Sequence, residues 1–189
     1  SFSAGGTVAR QEVNNDAAML LGPFDAANKK ISGTWRVDGG GGDDDLFGFV
    51  FGYQGRGQFY LFDWKNGDQD SPDHGFGERG MSLRLVNVAG GGDPSSRDLF
   101  QSGGTANTSI LKHNTLPWAI NTDYTYLLGF SPGLIDIEVF EGATSLEHWV
   151  LNDNTYASGR FGVYVFSQQD VVFSDVLVVP EPRTYTLTR

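Results

Sequence analysis

Hydrophobic and polar positions alternate along this chain in short runs, and few segments show the three-to-four-residue spacing of an amphipathic helix. Ile31 to Asp38 places Ile31, Gly33, Trp35 and Val37 on one face of an extended strand. Leu46 to Gln54 places Phe47, Phe49, Phe51 and Tyr53 on one face, and Leu46, Gly48, Val50 and Gly52 on the other. Both faces are apolar and one is nearly flat, which predicts a central strand with a second sheet close by. Gly55-Arg56-Gly57 predicts a turn, from which Gln58 to Trp64 runs back as the second arm of a hairpin. Met81 to Val88, Tyr124 to Phe130, Leu134 to Phe140, Gly159 to Gln168 and Val171 to Val179 read as further strands, with Ser131-Pro132-Gly133 turning between two of them. Glu12 to Leu21 is the one stretch that suggests helix, a turn or two long. Many short strands separated by glycine-rich turns predict an all-β fold, an antiparallel β-sandwich or barrel.

Composition agrees. Of 189 residues, 26 are Gly, 14 Phe, 7 Tyr and 4 Trp, a supply of turn formers and strand formers. The length suits one domain, here residues 1–179, followed by a tail, 180–189, that begins where Pro180-Glu181-Pro182 halts the last strand. The chain starts at Ser1 rather than Met, as expected of a mature or excised segment. It has no cysteine, which removes disulfide scaffolds, zinc-thiolate sites and thiol catalysis. No window approaches the ~20 apolar residues of a membrane span. A formal charge of −10 disfavours nucleic acid and anionic lipid as partners, and leaves carboxylates in excess for a hard cation such as Ca2+.

The carboxylates cluster. Asp38, four glycines and then Asp43-Asp44-Asp45 make one acidic loop, and Asp63 to Asp73 make a second. Because 46–54 and 58–64 form a hairpin, the residues before 46 and after 63 emerge at the same end, so the loops should lie side by side. Adjacent carboxylates repel, and a calcium ion would offset the repulsion and order the loops; two solvated polar loops are the simpler alternative. Neither loop has the EF-hand spacing. Gly75-x-Gly77-x-x-Gly80 has the letters of a dinucleotide fingerprint without its βαβ context, and is expected to be a turn. Asp136 and Glu138 share a strand face roughly 7 Å apart, a spacing open to glycoside hydrolysis, but a wet strand face explains them as well. His74, His113 and His148 form no metal pattern, Asn107-Thr108-Ser109 is a lone glycosylation sequon, and Trp64, Trp118 and Trp149 suit core packing better than sugar stacking.

Two blocks carry a family resemblance. Asp43 to Gln54 (DDDLFGFVFGYQ) with Gln58 to Lys65 (QFYLFDWK), and Thr155 to Gln168 (TYASGRFGVYVFSQ) continuing through Asp175, resemble the thrombospondin C-terminal domain over roughly Ile31 to Val178. His113 to Trp118 and Asp123 to Tyr126 are similar to ligand-binding modules of bacterial repeats-in-toxin adhesins. The resemblance implies a concanavalin-type, L-type-lectin-like jelly roll with calcium at the triple-Asp end. It nominates Asp43, Asp44 and Asp45, then Asp63 and Asp68, as cation ligands, and Tyr53, Gln54, Lys65 and Gln69 as rim residues for a ligand. Val179-Pro180-Glu181-Pro182 resembles the start of a PEP-CTERM sorting signal, which implies export to a bacterial cell surface or biofilm matrix.

The leading expectation is therefore a secreted, calcium-dependent adhesion module that binds a peptide or carbohydrate, and not an enzyme. The alternative is a structural subunit of a fibre, surface layer or matrix, self-associating by strand addition through Thr184 to Thr188 and Ser1 to Arg10.

Overall fold

A computed structural model describes residues 2–5, 7–39 and 42–180. In chain order its elements are β1 (Phe2–Gly5), β2 (Val8–Gln11), β3 (Ala18–Asp25), β4 (Lys29–Val37), β5 (Leu46–Gly55), β6 (Gln58–Lys65), β7 (Gln69–Ser71), β8 (Gly75–Gly77), β9 (Gly80–Asn87), α1 (Ser96–Phe100), β10 (Thr108–His113), β11 (Tyr124–Ser131), β12 (Leu134–Glu141), β13 (Thr144–Leu151), β14 (Arg160–Phe166) and β15 (Val171–Pro180). A seven-stranded sheet runs β1-β2-β15-β4-β11-β12-β13, a six-stranded sheet runs β10-β9-β6-β5-β14-β3, and β7-β8 is a small hairpin. All pairings are antiparallel. The N-terminal strands pair within their own sheet: β1 with β2, and β2 with β15. Val179 and Pro180 end β15, whereas Glu181-Pro182 of the sorting-type sequence and the Thr184 to Thr188 arm of the expected strand addition lie in 181–189, outside the described residues.

The core between the sheets follows from the alternation. On β5, Phe47, Phe49 and Phe51 point inward, and on β6, Tyr60, Phe62 and Trp64 do. Trp35 of β4 stacks on Tyr126 with ring centroids 4.6 Å apart and lies 5.6–5.8 Å from Phe47, Phe49 and Phe62. Trp64, Trp118 and Trp149 are likewise buried in this core rather than displayed. The outer face of the six-stranded sheet is apolar too. Leu46, Val50, Phe59, Leu61, Tyr164 and Phe166 form a second cluster, and Leu99 and Phe100 of α1 pack onto it. Strand β5 is thus buried on both faces, between β14 and β6.

Gly48 is where β5 needs its flat face. A Cβ there would stand 2.0 Å from the Phe62 carbonyl oxygen and 3.1 Å from the Asp63 Cα, both backbone atoms. Overpacking of this kind costs ~1–3 kcal/mol, so Gly48→Ala is expected to lower the unfolding free energy by that amount, read in a chemical-denaturation curve as a lower midpoint with no change in m-value.

Two expectations need correction. Glu12 to Leu21 is not helical: residues 12–17 form a loop, and the chain is strand from Ala18. Ala18 packs on the inner core while Met19 and Leu21 pack on the outer cluster, so the apolar run serves two faces of an edge strand rather than one helix stripe. Pro23 costs no ladder bond on such an edge. Second, Tyr53 does not share a face with Phe51. Gly52 has φ 58°, the β5–β6 register shifts between Phe51 and Gly55, and Tyr53 stacks on Phe59 of the outer cluster. A bulge moves every later side chain to the other face.

The lone sequon is occupied structurally. Ser95 and Asp98 form a capping box on α1, and the Asp98 carboxylate also accepts from Thr105 Oγ1 and from Asn107 Nδ2 at 3.2 Å.

Candidate functional site

Three loops meet at one end of the sandwich: the β2–β3, β4–β5 and β14–β15 connections. Backbone bonds tie them together. Ser167 N–H donates to Asn15 at 2.8 Å, Asp170 N–H to Gln11 at 2.8 Å, and Asp38 N–H to Asp170 at 2.9 Å. Ser167 and Asp170 take left-handed backbone angles (φ 53° and 61°) to make this closure, at a cost for non-glycine residues of order ~1–3 kcal/mol each.

Asp43 stands where the loops converge. Its Oδ2 accepts from the Gln169 N–H at 3.1 Å and from Asn14 Nδ2 at 3.2 Å. Burial pushes the Asp43 carboxyl above the usual carboxylate range, and the charges of Asp45 and Asp44 push the same way, against the Gln169 N–H. Beside it lies a polar cavity of about 50 Å³, bordered by Asp38, Asp43, Gln168, Gln169 and Asp170. Gln168 is 1% exposed and its Oε1 has no hydrogen-bond partner. A buried acceptor without a donor costs ~1–3 kcal/mol. The nearby Asp38 and Asp170 are already neutralised: Arg10 reaches them at 2.7 and 2.8 Å, and Arg36 reaches Asp38 at 2.6 Å. Arg10, then Arg36, hold the Asp38 carboxyl below its ordinary range despite some burial.

An unpartnered amide oxygen and a carboxylate with a raised pKa, on one small polar cavity, fit a hard cation. Calcium takes 6–8 oxygens. Among the described residues no group of three or more His, Asp or Glu side chains converges to hold a metal ion. The residues on this cavity that could contribute oxygens to such an ion are Asp43 and Gln168.

The second acidic loop does lie against the first. Asn66 N–H donates to the Asp44 carbonyl at 3.0 Å. The Lys65 ammonium, however, fills the space between them, 3.2 Å from both Asp44 Oδ1 and Asp45 Oδ1 and 3.0 Å from Gln69 Oε1. Lys65 faces inward and is buried, not an open rim residue, whereas Gln69 remains exposed and reaches the ammonium from the surface through its Oε1. Asp68 closes its own loop by accepting from the Arg79 N–H at 2.8 Å.

Other nominated residues sit elsewhere. Asp63 points to the outer face of the six-stranded sheet, fully buried, with both oxygens turned to the Arg84 guanidinium. It lies beneath the α1 segment, where Arg84 Nη1 donates to the Gln101 carbonyl at 2.8 Å. Tyr53 and Gln54 stand at the far end of β5, roughly 26 Å from Asp45 at the strand rise of ~3.3 Å per residue. There Tyr53 receives Arg160 over its ring at 5.3 Å, and Gln54 Nε2 donates to the Ser158 carbonyl. Gln168, Asn14 and Arg10 are the residues that site reasoning from sequence overlooked. Gln168 had a signal, since Ser167-Gln168 falls inside the second block of family resemblance.

On the exposed face of β12, Asp136 meets His148 Nε2 at 2.8 Å and Glu138 accepts from Ser145 Oγ at 2.7 Å. Among the described residues no helix is long and apolar enough to cross a membrane.

Comparison with known proteins gives this geometry a family. The thrombospondin C-terminal region model matches residues 2–180. Thrombospondin-2 of Gallus gallus and of Homo sapiens are each 36% identical over 177 residues, covering 88% of this chain and 15% of the relative. Cartilage oligomeric matrix protein of Bos taurus is 29% identical over 177 residues, covering 88% and 23%. The chain thus spans less than a quarter of these relatives. Among solved structures, the VIP36 exoplasmic/lumenal domain in its Ca2+/Man-bound form superposes with TM-score 0.64 at 10% identity, covering 99% of this chain and 83% of that one. The carbohydrate binding module CBM66 from Bacillus subtilis superposes with TM-score 0.61 at 12% identity, covering 94% and 90%. At such identities the likeness is one of fold, an antiparallel lectin-like sandwich. With the family model running from β1 to the end of β15, this chain belongs to the thrombospondin C-terminal region family.

Proposed function

We propose that this chain is an extracellular binding module whose loop end takes a calcium ion at Asp43 and Gln168 and presents a carbohydrate or peptide ligand site there. The observation that carries the reading is the orphaned amide oxygen of Gln168, a residue that borders the polar cavity together with Asp43. Calcium bound there would neutralise Asp43, engage the free amide oxygen and offer open coordination positions to ligand hydroxyl or carboxylate oxygens. The chain's own contribution is orientation. Asn14 and the Gln169 N–H fix one Asp43 oxygen, and Arg10 and Arg36 keep Asp38 and Asp170 from competing. Two structural neighbours, one solved with calcium and mannose bound and one a carbohydrate-binding module, favour a glycan among the ligand classes. A matrix protein among the relatives favours an extracellular setting, and display on a bacterial surface or in a biofilm matrix is the form we infer. Binding rather than catalysis is the reading that the family match favours.

A glycan and peptide array probed with the labelled protein tests this. Binding in millimolar calcium is expected to fall at least tenfold in EDTA and in Asp43→Asn. Binding of equal strength with and without EDTA would contradict the proposal.

A further inference from the structure

The second acidic loop carries a cation of its own. Around Lys65 Nζ stand Asp44 Oδ1 and Asp45 Oδ1 at 3.2 Å, the Asp44 carbonyl at 3.1 Å and Gln69 Oε1 at 3.0 Å. The Phe100 ring closes the shell with its centroid 5.3 Å away. The side chain is 1% exposed, and lysine is almost never buried so far unless paired. An ammonium has three N–H donors, so four oxygens and a ring face saturate it. The oxygens stand 3.0–3.2 Å away, beyond the 2.3–2.6 Å of a calcium shell, so the nest is sized for a nitrogen. The stem passes beneath β8, where a Cβ on Gly77 would stand 3.2 Å from Lys65 Cε.

We propose that Lys65 is a built-in surrogate for a metal ion. Its ammonium occupies the position in which Asp44, Asp45 and Gln69 would otherwise collect a divalent cation. This end of the sandwich therefore carries one exchangeable ion, at Asp43, and one fixed positive charge, at Lys65. Asp45 stands between the two positions, touching Lys65 on one side and adding its charge to Asp43 on the other.

A functional consequence follows for calcium withdrawal. The loops around Asp43 lose their neutralising ion, while segment 66–79, closed on itself by the Arg79 N–H on Asp68, stays seated by Lys65 and by the Asn66 N–H on Asp44. That segment carries β7, β8 and the exposed Phe76, so this part of the surface is preorganised whether or not calcium is present. Only the count of exchangeable ions rests on the calcium reading above; the seating of 66–79 does not.

Amide hydrogen exchange at Asn66 and Arg79, together with calcium counting by native mass spectrometry, tests the inference on the wild type, Lys65→Met and Asp43→Asn. In EDTA the wild type is expected to keep both amides protected, and Lys65→Met to exchange them at least tenfold faster. In calcium, Lys65→Met is expected to regain protection and to bind one ion more than the wild type. Loss of protection in wild-type protein on adding EDTA would overturn the proposal, as would full protection of Lys65→Met in EDTA or an unchanged ion count in that variant. Should Lys65→Met fail to fold, the wild-type EDTA result stands alone as the test, and Lys65→Gln, which keeps one donor group, gives the ion count. A wild type that binds no calcium yet keeps 66–79 protected would defeat the Asp43 reading and leave the role of Lys65 intact.

Discussion

Arg84→Met is expected to lower the melting temperature by roughly 10 °C. Arg84 and Asp63 are both essentially inaccessible to water, and the guanidinium faces both carboxylate oxygens. Removing one partner of such a pair costs ~3–5 kcal/mol, because the other charge stays buried and unpaired. For a domain of this size each kcal/mol moves the midpoint by about 2–4 °C. Beside Arg84, His113 and Ser82 also favour the charged form of Asp63. Arg84 also ties down the end of α1 through Gln101, so the α1 segment should exchange its amides faster in the variant. Burial raises the folded-state pKa of an unpaired carboxylate, so the variant's deficit belongs to the charged form and should shrink as pH falls through that pKa. Asp63→Leu added to Arg84→Met should recover most of the loss, since an apolar pair of similar volume is often neutral. Scanning calorimetry of the single and double variants between pH 4 and 8 checks this; a shift under 2 °C for Arg84→Met would contradict it.

The second large effect changes sign with calcium. Asp43 has a raised folded-state pKa, from burial first and then from Asp45 and Asp44. A raised acid binds its proton more tightly in the folded state, so its charged form costs stability at neutral pH and the cost disappears as pH falls through the folded pKa. Without metal, Asp43→Asn should therefore raise the melting temperature. With calcium at about a hundredfold its dissociation constant, the wild type should gain ~2.7 kcal/mol, or roughly 5–10 °C, and the variant should gain almost nothing. The two melting curves cross as calcium is added. Parallel shifts in both proteins would show that the ion binds elsewhere.

Most strands, both sheets' shared core and the adjacency of the two acidic loops could be read from alternation and turn chemistry. The hairpin argument put residues before 46 beside those after 63, and the Asn66–Asp44 bond is its physical form. What escaped was whatever depended on a single local irregularity or on a distant partner. The left-handed Gly52 reverses the face of Tyr53, which alternation cannot register. The β12–β13 ladder shifts register between Val139 and Phe140, and β13 itself showed no clean period. Asp63 reads as one more loop carboxylate until Arg84, on another strand, claims it. Lys65 looks like a solvated rim residue because sequence shows its charge but not the four oxygens that surround it. Gln168, neutral and adjacent to no acidic run, became visible only when burial left its oxygen without a donor.

The binding end of this sandwich turns on one ion at one place. A crystal structure of the protein grown in calcium, with an anomalous difference map, should show a peak 2.3–2.6 Å from an Asp43 carboxylate oxygen and from Gln168 Oε1, with Lys65 still seated among Asp44, Asp45 and Gln69. A peak among those three residues with Lys65 displaced, or no peak in the cavity beside Asp43, would contradict it.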